Sequence, residues 1–418
     1  MQVMKFGGAS VKNSEAIRNV AGILSHFDQE AILVVISAID KTTNRLEELA
    51  HLARDGKEEV ALKQFEKIKS FHLNLVRELW NKENLADILA KVTALMDQVE
   101  RIVQGILLLE EFPAPTYDRI VSYGEILSTT IISEYLQLHG RSVHWVDARN
   151  LIKTDATFKQ AGVIWSLTEK NIEAAIPPLL VDNGLVITQG FIGSTIDGKT
   201  TTLGREGSDY TGSIFAHCLQ AESLTVWKDV PGILNADPRI RDNTTKIDHL
   251  SYEEAVEMTF YGASVIHPKT IKPIFNKNIP LNVKSFQDIA AAGTVISNRT
   301  NSQVITSYIL KKNQTQLQIT PKDFSFMEEL LMREVFDQLY KSGVKLNLVQ
   351  NSAISLMLCV DDKPQVRDFT ALLLDKFDVE VTSDLQLHTV VNFEVRDLKE
   401  AANAVMVQQY DNKLFIVK

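Results

Sequence analysis

Short apolar runs that alternate with amphipathic segments constrain the fold of this chain more than any other feature. Three of these runs are AILVVISAI at residues 31–39, GLVITQGFI at residues 184–192 and SLTVWKDV at residues 223–230, and we interpret each as a buried strand. Between them, segments such as residues 14–27 place apolar side chains at helical spacing. Strands separated by helices predict an α/β domain built on a mainly parallel sheet.

Two further regions have a sequence pattern that predicts their secondary structure. Residues 57–111 contain no proline and only Gly105, so they predict a long helical hairpin that serves as a lid or cover. Residues 315–383 follow the order βαββαβ, which is that of a ferredoxin-like unit. The polar stretch before them predicts a domain boundary near residue 302, giving domains of residues 1–301 and 302–418. Two strand-like pieces, HTVVNFEV and KLFIVK, follow Asp384.

Composition excludes several classes of protein. The formal net charge of −9 argues against a nucleic-acid-binding protein, and the apolar run at residues 31–39 is too short to cross a bilayer. The only cysteines, Cys218 and Cys359, lack metal-ligand spacing, so we interpret them as buried thiols in a reducing compartment. The chain is therefore expected to be cytoplasmic, with no nucleic-acid or membrane partner.

Residues 193–200, GSTIDGKT, match the phosphate-binding pattern G-x-x-x-x-G-K-[ST] letter for letter. That pattern needs a helix directly after it. After Lys199 come three threonines, Leu203 and then Gly204, and these do not start a stable helix. Because Asp197-Gly198 is a strong hairpin signal, we predict a β-hairpin here, with Lys199 in a solvated turn.

Five other segments lie at carboxyl ends of predicted strands or at helix starts, where ligands bind in open α/β sheets. They are KFGGAS at residues 5–10, ISAIDKTTN at 36–44, SYGEILST at 122–129, LGREGSDYTG at 203–212 and VWKDVPGILNADPR at 226–239. Their glycines let backbone N–H groups approach an anion. The guanidinium of Arg205 offers a bidentate fork for a carboxylate or phosphate.

In this order and at these spacings, the five segments resemble the aspartate kinases of the amino acid kinase family. The resemblance covers residues 1 to about 300, and the βαββαβ unit resembles an ACT domain. It implies an αβα sandwich on a mainly parallel sheet. The implied reaction converts ATP and L-aspartate to ADP and 4-phospho-L-aspartate with Mg²⁺, the first step toward lysine, threonine and methionine.

The resemblance also implies residue roles. Lys5 bridges the transferring phosphoryl group, and Asp209 orients Lys5. On the amino acid, Glu125 binds the α-ammonium and Arg205 binds the α-carboxylate. Thr43 and Ser208 complete that pocket. The residues expected on the nucleotide side are Gly7, Gly8, Ser10, Gly207, Lys228, Asp229, Asp237 and Arg239. No side chain is expected to be a dedicated metal ligand.

Alternatives remain open for both residues and function. Glu125 and Arg205 are also compatible with a structural ion pair, and Asp209 with a simple helix cap. A related kinase for acetylglutamate or glutamate is one functional alternative. An acetylated amine, however, carries no positive charge for Glu125 to bind. A catalytically weak sensor of ATP or amino acids is another.

Three positions depart from the family pattern. Ala9 stands where threonine is usual, Glu206 where glycine is usual, and Ser264 where many members place a lysine that contacts the nucleotide. Lys228 is also unusual at its position. The simultaneous loss and gain of a cation motivates the hypothesis that Lys228 compensates for Ser264.

The C-terminal region implies regulation and assembly. Members of the family usually carry two ACT units that bind an end-product amino acid and mediate dimerisation, and the second unit is shortened here. Asn347 and Ala353 lie where lysine-sensing members commonly carry acidic groups. Lysine, threonine, another effector or none remain open, and we expect a homodimer or higher homo-oligomer.

Overall fold

The computed structural model of the protein describes residues 1–82, 84–263, 266–299 and 305–418. The chain divides into two compact units. The larger comprises Met1–Ile233, Lys246–Val256 and Ile266–Thr300, and the smaller comprises Leu234–Thr245, Glu257–Val265 and Asn301–Lys418. The domain boundary predicted near residue 302 falls within residues 300–304, outside the described residues, and stays a prediction.

Strands as far as residue 297 are, in chain order, β1 (Gln2–Phe6), β2 (Ile32–Ile36), β3 (Val143–Val146), β4 (Leu185–Gln189), β5 (Ile192–Ser194), β6 (Thr200–Thr202), β7 (Ser223–Lys228), β8 (Ile233–Leu234), β9 (Lys246–Ile247), β10 (His249–Ser251), β11 (Leu281–Ser285) and β12 (Thr294–Ser297). An eight-stranded sheet has the order β10-β12-β11-β7-β1-β2-β4-β3. The β11–β12 pair is antiparallel, and the other pairs of this sheet among the described residues are parallel. All five residues of β2 are buried, as expected for a parallel strand that is covered on both faces.

The α-helices of the same part of the chain are α1 (Ser14–Ser25), α2 (Thr42–Arg54), α3 (Glu58–Leu79), α4 (Leu85–Leu109), α5 (Ala114–Val121), α6 (Tyr123–Leu138), α7 (Ala148–Leu151), α8 (Trp165–Ala175), α9 (Gly207–Cys218), α10 (Tyr252–Phe260) and α11 (Pro268–Phe275). The predicted helical hairpin corresponds to α3 and α4. Phe65 on α3 and Met96 on α4 belong to the same buried cluster as Phe6 on β1. The hairpin therefore covers the main core as an integral layer of the larger unit.

The smaller unit carries a six-stranded antiparallel sheet. Its elements are β13 (Ser307–Pro321), α12 (Glu329–Ser342), β14 (Leu346–Asn351), β15 (Leu356–Asp361), α13 (Gln365–Leu373), β16 (Phe377–Val391), β17 (Met406–Tyr410) and β18 (Lys413–Val417). The strand order is β14-β15-β13-β16-β18-β17, and β13 to β16 with their two helices form the predicted βαββαβ unit. The predicted fold class, a mainly parallel α/β domain followed by a ferredoxin-like region, is confirmed.

The end of the chain differs in detail from the expectation. The piece beginning HTVV continues β16 as one 15-residue strand, so it is not a separate element. A short 3₁₀ segment, Val395–Ala401, then leads to β17, which the sequence patterns missed, and to the expected β18. Among the described helices, none combines the length and the apolar character needed to span a membrane.

Candidate active site

A cavity of about 510 Å³ opens at the carboxyl edge of the parallel sheet, where β1, β2 and β4 end. Parallel strands deliver all their following loops to one edge, so this is where an open α/β sheet collects polar side chains. The predicted site residues that line the cavity together are Lys5, Gly8, Thr43, Glu125, Arg205, Gly207, Ser208 and Asp209. Residues far apart in sequence thus share one small volume.

Two glycines permit the close approach of these loops. A Cβ atom on Gly8 would lie 2.8 Å from the carbonyl oxygen of Asp40. A Cβ atom on Gly207 would lie 2.7 Å from a ring carbon of Phe191. Both separations are too short for a side chain, so these positions require glycine if the turn after β1 and the start of α9 are to reach the cavity.

Asp209 lies between two ammonium groups. Its Oδ1 atom is 2.5 Å from Lys5 Nζ, and its Oδ2 atom is 3.3 Å from Lys228 Nζ. Asp209 is fully buried in the first turn of α9, and Lys5 is almost fully buried on β1. Burial alone would raise the pKa of Asp209, but the two lysines hold it below its ordinary value. The two lysines therefore favour the ionised form of Asp209, which contacts both cations at the edge of the sheet.

Glu125 has a different environment in the first turn of α6. Its side chain is buried, and Oε1 accepts hydrogen bonds from the backbone N of Ala38 at 3.3 Å and from Thr43 Oγ1 at 3.5 Å. Oε2 is buried without a hydrogen-bond partner among the described residues. Burial raises the pKa of Glu125 to about 8, against the lowering effect of the Ala38 hydrogen bond. A buried, unpartnered carboxylate oxygen on a cavity wall is suited to a cationic ligand.

Arg205 and Ser208 lie on the turn into α9. Arg205 is exposed and Ser208 is half-buried, and both line the cavity. Among the ion pairs of the described residues, none joins Arg205 to Glu125. The alternative of a structural ion pair between these two side chains therefore does not apply. Both groups are available to a ligand in the same cavity.

The residues expected on the nucleotide side are more dispersed. Gly7 precedes a short 3₁₀ turn, and Ser10 donates its hydroxyl to the carbonyl oxygen of Trp227 at 3.3 Å. Asp229 is exposed after β7. Asp237 and Arg239 pair with each other at 2.6 Å in the smaller unit and are not among the residues that line the cavity.

The structure also places the residues singled out by other patterns, with one exception. β5 and β6 form an antiparallel hairpin, and Lys199 lies exposed in its turn, paired with Asp197 at 3.0 Å, so the rejection of a phosphate-binding loop is confirmed. Glu206 is exposed at the cavity and has a left-handed backbone φ of 55°. That conformation explains why glycine suits this position. Ser264 lies outside the described residues.

The sequence patterns missed several residues that line the cavity, notably Lys159, Gln160, Tyr117 and Glu47. The ammonium group of Lys159 lies 4.4 Å from the centre of the Tyr117 ring, within the range of a cation–π interaction. Residue 159 follows no predicted strand and belongs to no motif. The one sequence feature that could have pointed to Lys159 as a site residue is the cluster of polar residues between β3 and α8.

The described residues contain no cluster of three or more His, Cys, Asp or Glu side chains placed to hold a metal ion. Asp209 is a buried carboxylate at this edge of the sheet, and it contacts two lysines. Mg²⁺ in phosphoryl-transfer sites is commonly bound through one or two carboxylates, substrate phosphates and water. The donor set at this edge fits that mode of binding.

Comparisons with known proteins agree on one group. The family model described as the amino acid kinase family matches residues 1–285. Lysine-sensitive aspartokinase 3 of Escherichia coli (strain K12) is 34% identical over 389 residues, which cover 91% of this chain and 83% of that protein. The crystal structure of E. coli aspartokinase III with aspartate and ADP in the R-state has a TM-score of 0.85 and 29% identity, and covers all of this chain and 96% of that one. The T-state structure of the same enzyme with lysine and aspartate has a TM-score of 0.82 at 29% identity and the same coverage.

Proposed function

The chain belongs to the amino acid kinase family, among the aspartokinases, and from this membership we propose that it transfers the γ-phosphoryl group of ATP to the side-chain carboxylate of L-aspartate. The observation that carries the proposal is the cavity shared by Lys5, Glu125 and Arg205. It offers one cation for phosphate, one cation for an α-carboxylate and one orphaned carboxylate oxygen for an α-ammonium. A free amino acid and a triphosphate are the pair of ligands that this set of charges matches.

The chemistry requires positioning more than acid–base catalysis. A side-chain oxygen of aspartate forms a bond to the γ-phosphorus while the bond from that phosphorus to the β,γ-bridging oxygen breaks, and ADP leaves. The attacking group is already a carboxylate at neutral pH, so no protein base has to remove a proton. Catalysis then depends on alignment of the two substrates and on neutralisation of charge in the transition state.

On the phosphoryl side, Lys5 binds the transferring group. Asp209 holds the Lys5 ammonium in place at 2.5 Å. Lys228, on the other oxygen of Asp209, is positioned to supply a second positive charge. Mg²⁺, when bound with ATP, screens the phosphate charges. The backbones of Gly7 and Gly8 contribute N–H groups, and the other proposed nucleotide-side residues are Ser10, Gly207, Asp229, Asp237 and Arg239.

On the amino acid side, Glu125 binds the α-ammonium and Arg205 the α-carboxylate, with Thr43 and Ser208 completing the pocket. Thr43 already donates to Glu125 at 3.5 Å, which orients the carboxylate toward its ligand. An N-acetylated acid lacks the positive charge that Glu125 needs. The cavity therefore favours a free amino acid over acetylglutamate.

An ADP-release assay with ATP, Mg²⁺ and a panel of acids tests this function. We expect turnover with L-aspartate, and little with N-acetylglutamate or glutamate. Turnover with one of the other acids alone would identify a different kinase of the family. ATP binding without turnover on any acid would favour a sensor.

We further propose that the smaller unit binds an amino-acid effector and assembles the chain into a homodimer or larger oligomer. Three large apolar side chains are exposed just before α12 and in its first turn: Phe324 (85% exposed), Phe326 (65%) and Leu330 (75%). Exposed apolar surface of this kind favours contact with a partner. Light scattering of Phe326→Glu should give a lower mass than the native protein. Leu108→Glu, at an exposed residue of α4, is the control. The free, buried state of both cysteines supports a reducing, cytoplasmic location.

A further inference from the structure

Asp118 carries a fully buried carboxylate beside the active-site cavity, and none of the roles given above uses it. It lies on α5, directly after Tyr117, which lines the cavity. A carboxylate is costly to bury unless its oxygens receive hydrogen bonds. The groups that donate to Asp118 therefore indicate what the buried charge serves.

Both oxygens of Asp118 accept hydrogen bonds from two separate segments. The backbone N of Lys159 lies 3.0 Å from Oδ1 and 3.0 Å from Oδ2. The hydroxyl of Thr202 donates to Oδ1 at 2.9 Å, and the backbone N of Thr202 donates to Oδ2 at 2.8 Å. One carboxylate thus joins residue 159, in the segment between β3 and α8, to the last residue of β6.

These two segments form adjoining parts of the cavity wall. Lys159 and Gln160 line the cavity on one segment, and Gly204 and Arg205 line it directly after β6 on the other. The segments also touch each other, since the backbone N of Ala161 donates to the carbonyl oxygen of Thr202 at 2.9 Å. Arg205 is only three residues from Thr202, so a fixed backbone at Thr202 limits where the guanidinium can lie.

The conformation of Lys159 gives an independent sign of constraint. Its backbone φ is 70°, in the left-handed region that a residue with a side chain adopts only at an energetic cost. Its N–H group points to both oxygens of Asp118. The contact with Asp118 thus stabilises a backbone conformation that holds the Lys159 side chain over the Tyr117 ring.

We propose that Asp118 is a positioning residue for the wall of the cavity that receives the α-carboxylate of the amino acid substrate. It acts through the backbone at Lys159 and Thr202, and so sets the placement of the Lys159 ammonium and the Arg205 guanidinium. This inference rests on the proposed function, because that function places the α-carboxylate of the amino acid substrate beside these two cations. Loss of the contact should weaken binding of aspartate more than binding of ATP.

Two variants and a matched control test the proposal. Asp118→Asn keeps the side-chain size but turns an NH₂ group toward N–H donors. Thr202→Val removes only the hydroxyl donor. Thr201→Val is the control, because Thr201 is equally buried in the same strand but its hydroxyl pairs with Thr154 at 2.7 Å.

We expect the KM for L-aspartate to rise by about tenfold or more in D118N and by about threefold in T202V, as loss of one or more buried hydrogen bonds implies. The KM for ATP should stay within about twofold in both variants, and T201V should change neither constant by more than about twofold. Equal changes in both KM values, an unchanged aspartate KM, or a loss of activity that only follows the folded fraction would each overturn the positioning role. If D118N does not fold, T202V against T201V decides the question.

Amide hydrogen exchange supplies a readout that does not depend on turnover. The amides of Lys159 and Thr202 should exchange faster in D118N than in the native protein, whereas amides in β1 and β2 should not change. A native protein that fails to phosphorylate L-aspartate would remove the proposed function. Unchanged exchange at Lys159 and Thr202 would instead remove the role of Asp118, so the two failures are distinguishable.

Discussion

Two buried carboxylates line the same cavity in opposite electrostatic environments. Asp209 lies between the ammonium groups of Lys5 and Lys228, which hold its pKa below the ordinary value. Glu125 leaves Oε2 without a hydrogen-bond partner among the described residues, and burial raises its pKa to about 8. Both side chains are at least nine-tenths buried, so burial alone does not distinguish them. The neighbouring cations distinguish the two carboxylates.

The difference between the two environments indicates a different function for each end of the cavity. The end at Asp209 has its cations in place before any ligand binds, which is the preorganisation that a transferring phosphoryl group requires. Glu125, among the described residues, has no ion-pair partner of its own until the ligand brings an ammonium group. The first end is built for charge neutralisation, and the second discriminates in favour of ligands that carry an ammonium group.

Loss of Lys5 should impair the Asp209 end of the cavity more than any other single substitution. Lys5→Met leaves Asp209 with Lys228 as the remaining ammonium group among its ion pairs. We expect kcat to fall by about 10²–10³-fold, the range found when one preorganised group is lost from a transition state. Steady-state kinetics at saturating substrates measures the effect.

Lys199→Met is the matched control for Lys5. Lys199 is exposed in the β5–β6 hairpin and pairs with Asp197, so its loss should change kcat by less than about twofold. Retention of more than about a tenth of kcat in Lys5→Met would contradict a role for Lys5 at the phosphoryl end.

Glu125→Gln tests the opposite end. The amide keeps the shape but not the charge, so the KM for L-aspartate should rise by about 10–100-fold, as expected for loss of a charge-assisted hydrogen bond worth about 1.5–3 kcal/mol. The KM for ATP should not change. Glu47→Gln is the control, because Glu47 also lines the cavity but interacts with the hydroxyl of Tyr117. Equal effects of both substitutions would deny Glu125 a specific role.

The raised pKa of Glu125 also predicts a pH dependence. Only the ionised carboxylate pairs with an ammonium group, so kcat/KM for aspartate should increase as pH rises toward about 8 and then level off. Between pH 4.5, the ordinary pKa of a glutamate side chain, and about pH 8, the folded protein binds a proton that the unfolded chain does not. The contribution of Glu125 to stability is therefore lost as pH rises through this window.

Glu125→Gln should remove this pH dependence. The melting temperature of the variant relative to the native protein should increase from about pH 5 to about pH 8.5, because the amide has no proton to lose. A constant difference across the window would show that Glu125 has an ordinary pKa in the folded protein. Parallel unfolding curves at several pH values give the answer.

The sequence predicted the two ends of the cavity more completely than the wall between them. Lys5, Glu125 and Asp209 belong to motifs at strand ends or helix starts, and a parallel sheet gathers such positions at one edge. Asp118 and Lys159 belong to no motif. Their contact joins residues 41 positions apart, and local spacing carries no information about such a pair.

The strands of the two sheets also differ in how far local sequence predicts them. Runs such as Ile32–Ile36 are apolar throughout, so the buried parallel strands were predictable from local sequence. In the smaller unit, β13 begins at Ser307 and continues through exposed Lys312 and Asn313, whereas the sequence predicts a polar stretch before a strand that starts at residue 315. Pairing with β16 on both sides of a register shift keeps the strand continuous, and that is a tertiary effect.

Lys228→Met should have a smaller effect at the Asp209 end of the cavity than Lys5→Met. Lys228 contacts the second oxygen of Asp209 at 3.3 Å, and the hypothesis gives it the charge that Ser264 does not supply. We expect the KM for ATP to rise by about 3–10-fold, with Lys284→Met, on the adjacent strand β11, as the control. An unchanged KM for ATP would rule out compensation by Lys228.

Glu206→Gly should have a smaller effect than any of these substitutions, and it concerns an exposed carboxylate of the same cavity. Glu206 is exposed and adopts a left-handed φ of 55°, which glycine tolerates without strain. We expect a gain in stability of about 0.5–1 kcal/mol, after the entropic cost of glycine, and less than about a twofold change in either KM. Glu206→Gln removes the charge but keeps the backbone strain. If Glu206→Gln raises the melting temperature as much as Glu206→Gly, charge repulsion and not backbone conformation is the cost of glutamate at this position.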